Sequence, residues 1–247
     1  MKFTNIILLA ALLAGCRTEY SLTGQQAQRL PIDQSVAVDS SLVRFLQPYK
    51  QQLDRTMTEV LVRATTRIEK GQPNGPLNDL LTDAMIAQVR QKTGQTVDVS
   101  HLNYTGIRNS LPLGDITVGS IYEVMPFDNA LTLVTMNGEG LMRFLNHFVT
   151  HDGTLVVGGI RATVRDKKVE SLTFTNGRTF SPTDTYLVAM SDYIANGGSD
   201  VTFMNEIQRK REEPNYLLRD AFIDYFRQLG KSGQPLKTTS DGRITFQ

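Results

Sequence analysis

Cysteine is almost absent from this chain of 247 residues, Cys16 being the only one. A lone thiol has no intrachain partner, so no intrachain disulfide holds the fold. A chain this long buries enough surface to need none. Histidine is nearly as scarce: His101, His147 and His151 are all there is. None falls in a His-x-Glu, Asp-x-His or Gly-Asn-His-Glu cluster, so metal-ligand spacing is missing and each is expected to be a satisfied structural histidine. Charge of one sign is also lacking. A net charge of +1 excludes a global basic field of the kind that recruits nucleic acid. The mixed-sign run at 208–213 (QRKREE) reads as a solvated turn. There is no phosphate-cradling glycine loop of the Walker kind and no internal repeat.

Long hydrophobic runs are missing as well. The apolar run from Ile6 to Ala14 falls well short of the roughly 20 residues that span a bilayer. Lys2 precedes it and Leu13-Ala14-Gly15-Cys16 ends it, which is the charged start, apolar centre and small-residue end of an export signal. The ending resembles a bacterial lipobox, which implies cleavage before Cys16 and lipidation of its sulfur. The expected product is exported and lipid-anchored to a bacterial membrane, on its periplasmic or cell-surface face. Each buried acyl methylene contributes about 0.8 kcal/mol to such an anchor. Residues 1–15 are then a signal peptide, and 16–38 are the lipidated Cys and a polar tether.

From Asp39 onward the pattern is that of a folded domain. Leu42, Phe45, Leu46, Tyr49, Leu53 and Met57 recur at helical spacing, with Pro48 expected to kink or interrupt the helix. Glu59–Ala64 reads as a strand. Asn74-Gly75-Pro76 starts a helix that Gly94 closes. Strands are expected at 97–102, 130–136 and 186–190, and helices at 121–124, 141–148 and 217–226. Leu155–Val164 and Val169–Thr175 read as a hairpin, and 243–246 as a closing strand. Strands and helices mix without regular alternation, so the expected fold is α+β: a single domain, 39–247, with a mixed sheet and flanking helices.

Three loops carry candidate chemistry. Asn103-Tyr104-Thr105-Gly106-Ile107-Arg108 follows a strand, and an Arg there offers a planar fork of donors to phosphate or carboxylate oxygens. Pro126-Phe127-Asp128-Asn129 is a turn with an aromatic. Ser191-Asp192-Tyr193 runs into Asn196-Gly197-Gly198-Ser199-Asp200. Two aromatics on separate loops can face each other across a slot that fits a flat ring with a polar edge. Each segment also has a plain reading: a surface Arg in a turn, a core Phe, a strand entering a glycine turn.

Taken in order and spacing, these segments resemble the C-terminal, nucleoside-recognising domain of the 5′-nucleotidase family, over roughly residues 40–230. The family's Asn-Gly-Gly-Gly-Ile-Arg run corresponds to Asn103–Arg108, with Tyr104 and Thr105 in place of two glycines. Its Pro-Phe-Gly-Asn corresponds to Pro126–Asn129, with Asp128 in place of Gly. Its Asn-Asp-Phe and Gly-Gly-Asp-Gly correspond to the segment 191–200, where Ser199 displaces the Asp to Asp200. Gly114-Asp115-Ile116-Thr117 and the helix start at Pro76 also match. The resemblance implies base stacking on Phe127 and Tyr193, and substrate contacts from Asn103, Arg108, Asn129, Gly197, Gly198 and Asp200.

The resemblance is to hydrolases whose two divalent metals sit in a separate N-terminal domain, and such a metal centre needs several His, Asp and Asn ligands. No residue here is expected to be catalytic, and the chain itself is expected to bind no cofactor. The divalent metal is expected in a partner phosphatase, so whether this chain counts as an enzyme turns on that partner. The leading expectation is a nucleotide-recognition domain that completes the site of a separate metallophosphatase chain, with a nucleoside or nucleotide as ligand and no nucleic acid. The alternative is a non-catalytic surface nucleotide-binding protein, or a structural or interaction lipoprotein that has lost the pocket.

Overall fold

The computed structural model describes residues 27–33 and 36–247, so the signal peptide and Cys16 lie outside the described residues. One unit ends at Leu46 and a second runs from Gln47 to Gln247. Helix α1 (Ser40–Met57) begins in the first and ends in the second. Pro48 does not interrupt it. Its missing N–H frees the carbonyl of Arg44, and because Arg44 is exposed, water can satisfy that oxygen. Among the described residues no helix is long and apolar enough to cross a membrane.

In the second unit, β1 (Val60–Ala64), α2 (Pro76–Thr93) and β2 (Val99–His101) are followed by a 3₁₀ turn at Tyr104–Gly106. Next come β3 (Gly114–Thr117), α3 (Val118–Val124), β4 (Leu131–Asn137) and α4 (Gly138–His151). The chain continues through β5 (Val157–Gly158), β6 (Ile160–Arg165), β7 (Lys168–Phe174), β8 (Thr185–Ser191) and the short α5 (Asp192–Ala195). It ends with α6 (Met204–Ile207), β9 (Gln208–Glu212), α7 (Leu218–Lys231) and β10 (Ile244–Phe246). The helix starts follow local chemistry. Pro76 opens α2 where its missing donor costs nothing. Thr117 and Ser120 form a reciprocal capping box on α3. Asn137 Oδ1 accepts the Gly140 N–H at 3.0 Å to start α4.

The frame is a five-stranded sheet in the order β5-β2-β8-β4-β9. Strand β2 runs parallel to β8, and β4 runs antiparallel to both β8 and β9. Alternate residues of β4 and β8 enter two different cores. Leu131, Leu133 and Ala189 join the core that includes α2, α3 and α7. Val134, Met136, Val188 and Met190 join the core of α4, β6 and β7. Both faces are therefore covered, which is why Tyr186–Met190 of β8 reads as a continuous apolar run rather than an alternating one. This is the expected α+β architecture, with mixed pairing and flanking helices.

Three segments differ from their sequence reading. Leu155–Val164 is not one strand. Val157–Gly158 pairs with β2, then Gly159 takes a φ of 83° and the chain leaves for a separate three-stranded sheet, β10-β6-β7. Only glycine adopts that conformation cheaply. The run 208–213 is not a turn, because Gln208–Glu212 forms the edge strand β9 against β4. Its backbone supplies the pairing, and its charged side chains blunt an edge that would otherwise template further strands. Finally, β10 does close a sheet, but it is the three-stranded one, parallel to β6, while β1 and β3 form a two-stranded antiparallel sheet of their own.

Candidate functional site

The sheet topology brings three loops to one rim. Because β2 and β8 are parallel, their C-terminal ends lie on the same side; β4 is antiparallel, so its N-terminal end joins them there. The register bears this out: Ser100 is opposite Ala189, and Leu131 is opposite Ser191. The loops leaving β2, entering β4 and leaving β8 thus converge. They line a cleft of about 290 Å³ bounded by Asn103, Thr105, Gly106, Arg108, Phe127, Asn129 and Tyr193. Phe127 and Tyr193 are 40% and 47% exposed. Large aromatics left this open at a concave site make it the candidate binding surface.

The first wall is the turn after β2. Arg108 donates from Nη1 to the Thr105 carbonyl at 3.2 Å and is otherwise directed to solvent. Its backbone N–H donates to the Val124 carbonyl at 2.9 Å. Behind it, Lys70 Nζ donates to the Ile107 carbonyl at 2.7 Å and lies 4.5 Å from the Tyr104 ring centre. Burial, then the neighbouring Arg108 charge, pushes the Lys70 ammonium down from its ordinary value. Lys70 thus braces the loop from the back, and Arg108 supplies the positive charge that lines the cleft.

The second and third walls are stitched to each other. The Asp192 N–H donates to the Ala130 carbonyl at 2.8 Å, and the Ala130 N–H donates back to Asp192 Oδ1 at 3.0 Å. The same carboxylate accepts the Tyr193 N–H at 2.8 Å. An oxygen occupied by two backbone donors is a structural acceptor that holds the two loops together. The Tyr193 hydroxyl accepts the Ser199 N–H at 3.0 Å, curling the Gly-Gly loop over the ring edge. A Cβ on Gly198 would lie 2.5 Å from the ring carbons of Tyr193, so only glycine permits the contact.

Of the residues singled out from sequence, Asn103, Arg108, Phe127, Asn129 and Tyr193 line the cleft together. Gly197 and Gly198 shape the loop behind Tyr193. Asp200 does not line the cleft; it is exposed, has a φ of 58°, and its carboxylate lies 4.0 Å from His151 Nδ1. Thr105 and Gly106 also line it, and their place inside the Asn103–Arg108 run was the signal that could have named them. Arg219, which grips the Phe127 turn, left no signal, because 91 residues separate it from Asp128.

The histidines take no part in the cleft lining. His147 Nε2 lies 2.7 Å from the Ser199 carbonyl, so that nitrogen carries the proton of the bond. His101 is buried against Phe144 and Phe148, and neither ring nitrogen has a hydrogen-bond partner. It is structural, but not satisfied as the sequence reading had it. Burial, with the nearby His147, pushes its imidazole down to about 3, and it stays neutral. Among the described residues no group of three or more His, Cys, Asp or Glu side chains is arranged to hold a metal ion.

Comparison with known proteins gives a consistent result. The family described as 5′-nucleotidase, C-terminal domain, matches residues 53–206. A 5′-nucleotidase of Vibrio cholerae serotype O1 is 25% identical over 177 residues, covering 70% of this chain and 32% of that protein. Among solved structures, a 5′-nucleotidase precursor from Thermus thermophilus aligns with a TM-score of 0.72 and 27% identity, over 82% of this chain and 42% of the other. An NAD nucleotidase from Haemophilus influenzae shares the fold, with a TM-score of 0.64 at 17% identity, over 85% of this chain and 42% of that one. The chain thus spans about a third of the curated relative.

Proposed function

This chain belongs to the family of 5′-nucleotidase C-terminal domains, and from that membership we propose that its cleft recognises the nucleoside part of a nucleotide. Phe127 and Tyr193 flank the base, Asn103 and Asn129 meet polar edges, and Arg108 attracts the phosphate. The observation that carries the reading is the convergence of two aromatics, two amides and one guanidinium, from three separate loops, on one cleft of about 290 Å³. Stacking contributes about 1–3 kcal/mol per base, and only together with the polar and charged contacts does it reach the roughly 8 kcal/mol of the micromolar affinity expected here.

Hydrolysis, in this proposal, belongs to a metallophosphatase on a separate chain, which holds the divalent metals and presents them to the phosphate bound near Arg108. Export and a lipid anchor at Cys16 are part of the same proposal and rest on the sequence from Lys2 to Cys16. The test is calorimetric titration of the full chain, without metal, with adenosine, AMP and ribose 5-phosphate. Adenosine and AMP bind and the sugar phosphate does not, and Phe127→Ala abolishes both heats. Absence of binding by all three compounds would overturn the proposal. Turnover is expected only when the metallophosphatase and a divalent metal are both added.

A further inference from the structure

The turn that presents Phe127 is held by an arginine 91 residues away in sequence. Arg219, in the first turn of α7, donates from Nη1 to the Phe127 carbonyl at 3.2 Å and from Nη2 to Asp128 Oδ1. Its guanidinium carbon lies 4.1 Å from the Tyr122 ring centre. The Arg219 side chain is 8% exposed, and its Asp128 partner is 79% exposed. One residue earlier, the Leu218 N–H donates to the Asn129 carbonyl at 2.9 Å. The start of α7 thus grips three consecutive residues of the turn.

Helix electrostatics do not account for an arginine in this place. The N-terminal end of a helix carries partial positive charge and disfavours a cation. A buried guanidinium there must be held by what it binds, and what it binds is the turn below the cleft. The shape of the group suits this role. A planar fork can bond a carbonyl and a carboxylate while its face rests on an aromatic ring, which an ammonium cannot do. Asp128 stands where the resembled motif has glycine. The more flexible backbone of a glycine turn is replaced here by a residue that supplies its own anchor.

We propose that Arg219 is a positioning residue for the base slot: through Asp128 and the Phe127 carbonyl it fixes the orientation of the Phe127 ring that the nucleoside stacks upon. The clamp is a property of the chain itself. Its purpose rests on the nucleoside reading above.

The experiment separates the two. The chain has no tryptophan, so Phe127→Trp in the full chain introduces a single indole at the slot. Time-resolved fluorescence anisotropy then reports ring motion on the picosecond-to-nanosecond scale. In the Phe127→Trp parent the indole turns only with the whole molecule. Adding Asp128→Gly, or Arg219→Lys, brings a fast depolarisation and loss of residual anisotropy, with far-UV circular dichroism unchanged. In the otherwise native chain, Asp128→Gly weakens adenosine binding about tenfold. An unchanged anisotropy decay in Asp128→Gly would overturn the clamp, and that exposed position decides the matter even if Arg219→Lys fails to fold. If adenosine fails to quench the indole while the decays still differ, the nucleoside reading falls and the clamp stands.

Discussion

A single methyl group tests the third wall of the cleft. Adding it at Gly198 would bring a carbon to 2.5 Å from the Tyr193 ring, well inside van der Waals contact, so the ring must swing or the loop must open. Ser199 and Asp200 follow with φ values of 53° and 58°, a costly pair of conformations for residues with side chains. They are held by the Tyr193 hydroxyl on the Ser199 N–H and by His147 on the Ser199 carbonyl. Gly198→Ala is therefore expected to weaken adenosine binding about tenfold, while the melting temperature moves by less than about 4 °C, as for a change of under 1 kcal/mol. Calorimetry and a thermal scan on the same preparation check both halves. Tyr193→Phe removes one hydrogen bond, about 1 kcal/mol, and should loosen the 196–200 loop, read as faster amide exchange at Ser199.

At the scale of elements, the three-stranded sheet depends on one buried cation. Arg243 bonds both oxygens of Asp83 at 2.8 and 3.0 Å, and its Nε lies 3.2 Å from Asp79 and 3.0 Å from Asp241. It ties β10 to α2, helped by Asn74, whose side chain exchanges two hydrogen bonds with the Ile244 backbone. Arg243→Met leaves the buried Asp79 without its cation and should cost about 3 kcal/mol. The readout is a lower urea midpoint at constant slope. None of this was legible in the sequence, since the partners lie some 160 residues apart. What could be read was local. Pro76 and Gly94 bracket α2 as expected, and the apolar spacings of α4 and α7 placed those helices. The edge strand β9 escaped because QRKRE has no apolar alternation, and its pairing is decided by the neighbour β4. The cleft itself was half legible: the motifs named five of its lining residues, but only the parallel pairing of β2 with β8 explains why they meet.

For the molecule as a whole, His101 sets a dependence on acid. Its folded imidazole titrates near 3 instead of 6.5, so between those values the unfolded chain binds a proton that the folded chain refuses. The His101 contribution to stability is therefore expected to be lost as pH drops below about 6.5, by about 1.4 kcal/mol per unit at the steepest, until the folded imidazole itself takes up a proton near 3. His101→Leu should flatten that slope above pH 4.5, before carboxylates titrate, without loss at neutral pH, because both ring nitrogens it removes are unbonded. Urea midpoints for the two proteins at pH 7, 6 and 5 provide the comparison. The shared rim of β2, β4 and β8 has a different consequence. Each loop there hangs from a strand end; Ile107, Ile194 and Ala195 tie the loops into the cores, while the side chains that line the cleft are largely exposed or half-buried and can change without disturbing them. A library confined to Asn103, Thr105, Arg108, Phe127, Asn129 and Tyr193 is expected to change what the cleft accepts while the fold stays the same, much as antibody loops are exchanged on a constant framework.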